Sequence, residues 1–326
     1  MKITARATPN IAFIKYWGNR NDALRLCAAD SCSMTLDSPS VDITVESADV
    51  FSVTSKNKEM KEKDIVRFQT TVDLIQQYLT ASRSSVPTSI AIEIDSHIPT
   101  SIGIASSAAV FAALAKAISG LMDAELSDEQ VSVMARLGSG SAARSIFGGY
   151  GAIRNLPGDG IGDAIGWQIA EENHWVLHDV IIVPSTEEKK VGSTEGHAGA
   201  HTSPHFADRI RAIGDHRQRE CVNAILEKDF EKLQAVVEED CMDMHRCMQT
   251  QTPPLQYLSG ATYRIIEEIT ALRKAKHLPV LYTMDAGPTV HLFCTDEALE
   301  AVRTYANAQK ECKIFEARTG RGAQLL

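Results

Sequence analysis

The first third of the chain is dominated by short runs in which apolar and polar residues alternate. The runs Ser31–Leu36, Val41–Ser47 and Thr88–Asp95 read SCSMTL, VDITVES and TSIAIEID. A period of two is typical of β-strands that bury one face of a sheet. One helix, over Ile65–Ser82, is predicted to interrupt them because its apolar residues recur at helical spacing. The chain therefore begins as a β-rich unit.

From Ser106 onward the sequence changes to a helical period. The run SSAAVFAALAKAISGLMDA is predicted as one helix, and Ser127–Gln130 carries the hydroxyl and the amide of a capping box that opens a second. Strands are predicted near Gly151–Asn155 and Val176–Pro184, and a loop over Glu187–Ser203, where Gly, Ser, Thr and His accumulate.

Long helices are predicted next, over Pro204–Leu226, Phe230–Met248 and Leu255–Lys276. The strands VLYTMDAG, TVHLFCT and CKIFEA, with a helix from Glu297 between the last two, close the chain. Strands first, helices later and a small final sheet predict an α+β fold of two domains, 1–185 and 186–326.

Composition limits the ligands and the location of such a chain. Lys and Arg number 33 against 42 Asp and Glu, a net charge of −9, so the overall field does not attract nucleic acid or an anionic membrane. No run of 18 apolar residues is present, and MKITARATPN lacks the apolar core of a signal peptide. The seven cysteines are scattered, which is typical of reduced thiols. We therefore expect a cytoplasmic protein.

The segment PTSIGIASSAA, Pro99–Ala109, has the composition of a phosphate-binding turn. A predicted strand ends before it, small residues occupy the turn, and a helix opens at Ser106 and Ser107. The first turn of a helix carries free N–H groups and the positive end of the helix dipole. The turn is not a Walker A loop, because it lacks Gly-Lys-Ser/Thr. An ordinary serine N-cap on a core helix explains the spacing equally well.

Two further segments place a charged side chain beside a turn. In GSGSAARSIFGGYG, two Gly-Ser steps precede Arg144, whose guanidinium can bind a carboxylate or a phosphate through paired hydrogen bonds. In TMDAGPT, Asp285 follows an apolar strand and precedes a Gly-Pro turn, where a shielded carboxylate can act as a general base. A solvated arginine and a turn-forming aspartate are the alternative explanations.

The segment KKVGSTEGHAGAHTSPH offers hydroxyl groups at Ser193 and Thr194. Its histidines His197, His201 and His205 are four residues apart, the spacing that aligns metal ligands on a helix. A glycine and a Ser-Pro step make a continuous helix through them unfavourable, so a metal site here is a minor alternative.

Taken together and in this order, NIAFIKYWGNR, PTSIGIASSAA, GSGSAARSIFGG, KKVGSTEG and TMDAGPT resemble the mevalonate diphosphate decarboxylase family. That family belongs to the galactokinase, homoserine kinase, mevalonate kinase and phosphomevalonate kinase superfamily. The similarity runs over nearly the whole chain and includes Pro253-Pro254. The resemblance implies the two-domain α+β fold of these small-molecule kinases, with the active-site cleft between an N-terminal ATP-binding domain and a C-terminal domain. It also implies an ATP- and Mg²⁺-dependent decarboxylase of a phosphorylated mevalonate, often a homodimer.

The functional residues of the family fall on matching positions here. The resemblance implies that Asp285 accepts the proton of the substrate's tertiary hydroxyl, that Arg144 holds its carboxylate, and that Lys15 offsets charge at the reacting centre. The positions that match substrate contacts are Tyr16, Asn19, Ser139, Gly140, Ser141, Arg144, Ser193 and Thr194. The positions that match the ATP phosphate loop are Pro99, Gly103, Ala105, Ser106, Ser107 and Ala108, with Ser106 a candidate Mg²⁺ contact.

The sequence departs from the family at the end of its first motif. The family usually reads Lys-Tyr-Trp-Gly-Lys, and the last lysine faces the distal phosphate of the diphosphate; here that position is Asn19. A lost charge-assisted hydrogen bond costs about 1.5–3 kcal/mol, or one to two powers of ten in affinity. Thr194 is neutral as well. In these departures the sequence is similar to the variant decarboxylases that accept mevalonate 5-phosphate. This resemblance predicts mevalonate 5-phosphate as substrate and isopentenyl phosphate as product. The diphosphate is the alternative if Arg20, Lys189 or Lys190 supplies the missing charge.

Three other functions compete with decarboxylation. They are a mevalonate 3-kinase that stops after phosphorylation, an inactive sensor of nucleotide or isoprenoid precursor, and a metal-dependent hydrolase built on the three histidines. The presence of Lys15, Arg144 and Asp285 together disfavours the kinase, and the intact MDAGP segment disfavours the sensor.

Overall fold

The computed structural model describes residues 1–81, 89–99, 106–122, 125–184 and 192–326. Within these ranges the strands are, in chain order, β1 (Lys2–Ala7), β2 (Asn10–Ile14), β3 (Asn19–Asn21), β4 (Leu26–Cys27), β5 (Ser31–Thr35), β6 (Val41–Ser47), β7 (Ser52–Ser55), β8 (Ile90–Ser96), β9 (Tyr150–Asn155), β10 (Ala164–Ala170), β11 (His178–Val183), β12 (Val280–Thr283), β13 (Val290–Cys294), β14 (Lys313–Arg318) and β15 (Gln324–Leu325).

The α-helices of the same ranges are α1 (Glu62–Ala81), α2 (Ser106–Leu121), α3 (Asp128–Gly138), α4 (Ser193–Ala198), α5 (Phe206–Ala212), α6 (Gln218–Glu227), α7 (Phe230–Thr250), α8 (Gly260–Lys276) and α9 (Asp296–Asn307). Short 3₁₀ segments lie at Gly140–Ile146 and Ala200–Thr202, and a π-helical turn at Ile213–Arg217 joins α5 to α6. None of the described helices combines the length and the apolar character that a membrane span requires.

Three larger sheets organise these elements, and the predicted α+β class is confirmed. The orders are β15-β1-β6-β8-β7, β10-β9-β5-β2 and β12-β13-β11-β14, and β3 and β4 form a separate hairpin. The end of the chain returns to its start, because β15 pairs with β1. Strand β11 pairs with β13 and β14 and so lies in the C-terminal sheet. The division at residue 185 stays a prediction.

Local signals in the sequence located several elements closely. Strand β6 has the predicted bounds, and β5 ends one residue before its predicted end. The capping box is confirmed: the Ser127 hydroxyl accepts from the Gln130 N–H, and the Gln130 side chain accepts from the Ser127 N–H. A hydroxyl at the N-cap and an amide at N3 satisfy two helix-end donors at once.

Other predictions about local structure were wrong. The described part of the predicted 187–203 loop contains α4 and a 3₁₀ segment, and strand β10 was not predicted. The predicted helix Pro204–Leu226 is interrupted by the π turn at Ile213–Arg217. Tertiary contacts stabilise that turn, because Arg209 before it and Arg217 at its end both reach Asp240 of α7. Periodicity in the sequence carries no information about such contacts.

A shared core joins the β2 sheet to the C-terminal sheet. Phe13 of β2 packs edge-on against Phe293 of β13, with ring centroids 5.0 Å apart. Both side chains are fully buried with residues of α6 and α7 in one hydrophobic cluster. This packing sets the end of β2 beside the end of β12.

Candidate active site

The charged residues Lys15 and Asp285 lie together in the structure. Lys15 directly follows β2, and Asp285 follows β12 after one intervening residue. The Nζ atom of Lys15 donates to Oδ1 of Asp285 at 2.7 Å. Side-chain exposure is 2 % for the lysine and 25 % for the aspartate. The carboxylate is therefore the accessible member of a mostly buried ion pair.

The electrostatic surroundings of Asp285 keep its carboxylate ionised. Burial by itself raises the pKa of an aspartate, because the charged form loses its water. Here the charge and hydrogen bond of Lys15 oppose burial, and the charges of His291 and Arg144 act in the same direction. The net pKa of Asp285 lies below its ordinary value. The group is thus in the form that accepts a proton at neutral pH.

Arg144 lies in the 3₁₀ segment Gly140–Ile146 and is almost completely buried. Its guanidinium donates to Asn10 Oδ1 at 3.2 Å, to Ser33 Oγ at 3.0 Å and to Ser31 Oγ at 2.6 Å. These partners are uncharged, and Arg144 forms no ion pair within the described part of the chain. Burial lowers its pKa. A buried cation of this kind is suited to an anionic ligand.

Tyr16 and Asn19 form a hydrogen-bonded pair on the hairpin side of the site. The Tyr16 hydroxyl donates to Asn19 Oδ1, and Asn19 Nδ2 donates to Asp22 Oδ1 at 2.7 Å. The Tyr16 ring packs against the His197 ring, with centroids 4.4 Å apart and the planes inclined by 30°. His197 Nδ1 in turn accepts from the Gly18 N–H at 2.8 Å. The Asn19 amide is therefore occupied by groups of this chain on both its oxygen and its nitrogen.

Hydroxyls from two of the predicted segments meet near Tyr16. Ser107 Oγ, at the start of α2, lies 3.1 Å from Ser139 Oγ, which lies 3.3 Å from Ser141 Oγ. Gly140 packs against the Tyr16 ring, and a Cβ there would lie 2.4 Å from a ring carbon. The structure thus joins the predicted phosphate segment to the predicted substrate segment through one row of hydroxyls.

The other predicted ATP contacts differ in their exposure to solvent. Ser106 is the exposed first residue of α2, whereas Ala108 two positions later is fully buried. Pro99 is exposed after β8. Gly103 and Ala105 lie outside the described residues.

The segment after residue 192 is helical, which separates its histidines. Ser193 and Thr194 open α4, and their side chains are not among those described. His197 lies in α4, His201 in a 3₁₀ segment and His205 before α5. Burial lowers the pKa of His197 to about 3, so its ring is neutral. Within the described ranges no group of three or more His, Cys, Asp or Glu side chains has the arrangement of a metal site.

Sequence reasoning missed Arg25, which the structure brings to the same end of the site. Arg25 adopts a left-handed φ of 49° in the turn of the β3–β4 hairpin. Its Nε donates to the Leu137 carbonyl at 3.1 Å, and its charge acts on the Tyr16 hydroxyl and on His197. Arg25 is half-buried and, among the described residues, forms no ion pair. The turn that directs it inward leaves no signal in the sequence.

Arg67 of α1 extends this positive region. It donates twice to the Gly138 carbonyl, from Nε at 3.2 Å and from Nη2 at 2.8 Å, and its guanidinium lies over the Phe111 ring. Burial lowers the pKa of Arg67 to about 10, and the nearby charge of Arg25 acts in the same direction. Arg25 and Arg67 therefore bind the carbonyls of Leu137 and Gly138, the two residues before Ser139.

Arg20, one of the residues expected to supply charge to the site, faces away from it. Its guanidinium donates to the carbonyls of Gly158 and Asp163 and pairs with Asp159 at 2.7 Å. Lys189 and Lys190, the other candidates, lie outside the described residues.

Comparisons with known proteins cover nearly the whole chain. Residues 7–158 match the model of the diphosphomevalonate decarboxylase-like N-terminal domain. Residues 179–319 match the model of the mevalonate 5-diphosphate decarboxylase C-terminal domain. Diphosphomevalonate decarboxylase mvd1 of Aspergillus fumigatus is 32 % identical, over 92 % of this chain and 78 % of its own length.

Solved structures share the fold along their full length. The mevalonate diphosphate decarboxylase of Staphylococcus aureus is 30 % identical and superposes with a TM-score of 0.89, covering 100 % of this chain and 98 % of its own. A structure described as MDDEF in complex with MVAPP, AMPPCP and magnesium is also 30 % identical, with a TM-score of 0.87 and coverage of 100 % and 99 %.

Proposed function

Because the chain belongs to the diphosphomevalonate decarboxylase family, we propose that it converts mevalonate 5-diphosphate to isopentenyl diphosphate in an ATP-dependent decarboxylation. The observation that carries this proposal is the Lys15–Asp285 ion pair, with Arg144 acting on the same carboxylate. Asp285 is an ionised base, and the buried Arg144 has no counter-ion in the described chain. This pair of groups fits a substrate that carries both a hydroxyl and a carboxylate.

Each of the three charged groups has one task in this proposal. Asp285 accepts the proton of the tertiary hydroxyl, and Lys15 offsets the negative charge that gathers there. Bound ATP supplies the γ-phosphoryl group that converts the hydroxyl into a leaving phosphate, after which loss of carbon dioxide gives the alkene. Arg144 binds the substrate carboxylate in one orientation, so that the bond to be broken is aligned with the departing phosphate.

The start of α2 fits the phosphates of ATP, and we assign it that role. Ser106 and Ser107 open a helix of 16 residues, where backbone N–H groups and the positive end of the dipole favour an anion. Mg²⁺ is commonly held by one or two protein oxygens together with phosphates and water, so the exposed Ser106 hydroxyl suits that ion. A structure of a relative was solved with AMPPCP and magnesium, which supports ATP and Mg²⁺ here.

The prediction of mevalonate 5-phosphate as substrate is contradicted by the comparisons. The relatives are named diphosphomevalonate decarboxylases, and one neighbour is described in complex with MVAPP. These findings support the diphosphate alternative. The prediction rested on the loss of charge at Asn19, and it counted only cations in or beside the five motifs.

Arg25 gives a physical reason why the diphosphate remains a suitable ligand. The half-buried guanidinium lies on the same side of the site as Tyr16 and Asn19, and it forms no ion pair in the described chain, although the charge of Asp22 acts on it. Arg67 adds a second cation nearby. We therefore assign to Arg25 the charge that a lysine at position 19 would otherwise provide to the distal phosphate.

The proposal is tested by supplying mevalonate 5-diphosphate and mevalonate 5-phosphate side by side, with ATP and Mg²⁺, and measuring carbon dioxide and ADP. The expected result is stoichiometric release of both from the diphosphate, at a higher kcat/KM than from the monophosphate. ADP without carbon dioxide would overturn decarboxylation in favour of a 3-kinase. Neither product from either compound would overturn enzymatic activity and favour a binding function.

A homodimer in the cytoplasm is part of the same proposal. The family resemblance supports the dimer, and the free state of all seven cysteines suits a reducing compartment. Sedimentation of the purified protein tests the dimer, and cell fractionation tests the location.

A further inference from the structure

Two consecutive residues of α7 contact the backbone on both sides of the Lys15–Asp285 pair. Asp240 Oδ2 accepts from the Lys15 N–H at 2.7 Å. Cys241 Sγ accepts from the N–H of Met284, the residue before Asp285, at 3.2 Å. We propose that Asp240 and Cys241 are positioning residues that fix the separation of base and lysine; this inference rests on the proposed function.

The backbone of Lys15 depends on a buried ion pair. Lys15 lies just past the end of β2, beyond the strand pairing with β5. The Lys15 N–H donates to Asp240, and Arg209 Nη2 donates to the Lys15 carbonyl at 2.8 Å. A buried peptide group that loses its hydrogen-bond partners costs free energy. The Lys15 backbone therefore strongly favours the one geometry in which both partners are kept. The direction of the Lys15 side chain is thereby tied to α5 and α7.

The ion pair itself is rigid. Arg209 donates to both carboxylate oxygens of Asp240, at 2.7 and 3.0 Å, and both side chains are fully buried. Arg217 approaches the same carboxylate at 3.6 Å. In a regular helix residues eight apart point about 80° away from each other, and one extra residue in a π turn reduces this to about 20°. The turn at Ile213–Arg217 therefore directs both arginines toward Asp240.

The opposite side of the pair is fixed at Met284. The Cys241 thiol accepts from the Met284 N–H and donates to its carbonyl at 3.5 Å. His245, one turn further along α7, is buried and lies close to the Met284 backbone. Burial, followed by the charge of Lys15, lowers the pKa of His245 to about 4, so the imidazole is neutral. It therefore adds no charge beside the pair.

One rigid helix thus holds two backbone segments that strand pairing does not join. Asp240 and Cys241 are adjacent, so a shift of α7 moves the Lys15 backbone and the Met284 backbone together. If only one of the two contacts is lost, from Asp240 to Lys15 or from Cys241 to Met284, the distance between Lys15 and Asp285 changes. This distance controls how strongly Lys15 lowers the pKa of Asp285. The charges of His291 and Arg144 lower the same pKa.

The test uses Cys241→Ala and Cys241→Ser, with Val237→Ala as the control. Val237 is a fully buried residue of α7, one turn before Cys241, and its apolar side chain forms no hydrogen bond to the backbone of Lys15 or Met284. We expect Cys241→Ala to lower kcat on the order of 10-fold with little change in KM, because small misplacements near reacting groups act on the chemical step. The acid limb of the kcat profile should move to higher pH, and Cys241→Ser should restore both.

Asp240→Asn tests the contact between Asp240 and the Lys15 N–H, and hydrogen exchange measures it without relying on catalysis. Hydrogen exchange of the Lys15 amide should become faster in Asp240→Asn, and that of the Met284 amide faster in Cys241→Ala, each at a single site. Asp240→Asn removes the carboxylate that pairs with the buried Arg209 and can fail to fold, in which case the cysteine series decides. If Val237→Ala and Cys241→Ala lose equal activity with unchanged pH profiles, the residues only stabilise the fold and the inference is wrong. An inactive wild type would instead contradict the proposed function, and the exchange measurements would still test the two contacts.

Discussion

Lys15 and Asp285 are 270 positions apart in the chain, and the Nζ atom of one lies 2.7 Å from Oδ1 of the other. Each residue follows a strand of a different sheet, and the two sheets meet in one core. The carboxylate is held ionised by the lysine against the effect of burial. The charge state of the base is therefore a property of the pair.

The pH dependence of activity should report this pair. The wild-type pKa of Asp285 is below its ordinary value, so the carboxylate stays ionised to a lower pH than an ordinary aspartate does. In Lys15→Met the effect of burial is less opposed, and the acid limb of kcat/KM should move to higher pH. Activity at neutral pH should fall by about 10²–10⁴-fold. Lys15→Arg keeps the charge and should retain more of the low-pH activity; equal profiles for both variants would contradict the prediction.

The role of Arg25 is separable from that of its neighbour Arg20. Arg25→Gln should raise KM for mevalonate 5-diphosphate by about 10- to 100-fold, because a charge-assisted contact to a phosphate is lost. Arg20→Gln lies in the same hairpin but faces Asp159, so its KM should stay near the wild-type value. A larger effect at Arg20 than at Arg25 would remove Arg25 from the site. The measurement is the initial rate of carbon dioxide release over a range of substrate concentrations.

Gly140 should be intolerant of a side chain. A Cβ at this position would lie 2.4 Å from the Tyr16 ring, which packs against His197 and cannot retreat freely. Gly140→Ala should cost about 1–3 kcal/mol in the free energy of unfolding and raise KM as Tyr16 is displaced. Gly162→Ala is the control, since a Cβ added there would meet no atom within 4 Å. Chemical denaturation and initial rates measure the two effects; matching results at both glycines would refute the contact.

The capping box of α3 should matter for stability and not for catalysis. Ser127→Ala removes the hydroxyl that accepts from the Gln130 N–H at 3.3 Å, and should lower the free energy of unfolding by about 0.5–2 kcal/mol. Ser52→Ala, at an exposed position of β7, should change it much less. Unfolding in urea, followed by circular dichroism, measures both variants. An altered kcat in Ser127→Ala would show that the start of α3 influences the site.

Local patterns in the sequence were sufficient for the fold class and for many elements. Alternation located β5 and β6, and the helical period located α1, α2 and α7. In β6 the alternation matches the buried face, whereas β5 is buried on both faces, so that its polar residues are buried as well. The capping box depends on residues three apart and needs no tertiary information. Where tertiary contacts determine local geometry, as at the π turn near Asp240, periodicity failed.

The motifs likewise named residues that the structure brings together. Lys15 and Asp285 are paired, Ser107 meets Ser139, and Arg144 is buried among neutral oxygens. The motifs offered no means of judging the net charge near Asn19, because that charge depends on the direction of a side chain in a turn with positive φ.

By itself the sequence determined the identity of the motifs, the α+β class and the order of most strands and helices. Only the tertiary structure decided that Arg25 points inward while Arg20 points outward, and that α7 holds the backbones of Lys15 and Met284. The physical reason is that periods and caps arise from contacts within a few residues. Charge balance and separation at the site arise from the packing of sheets and helices that are far apart in the chain.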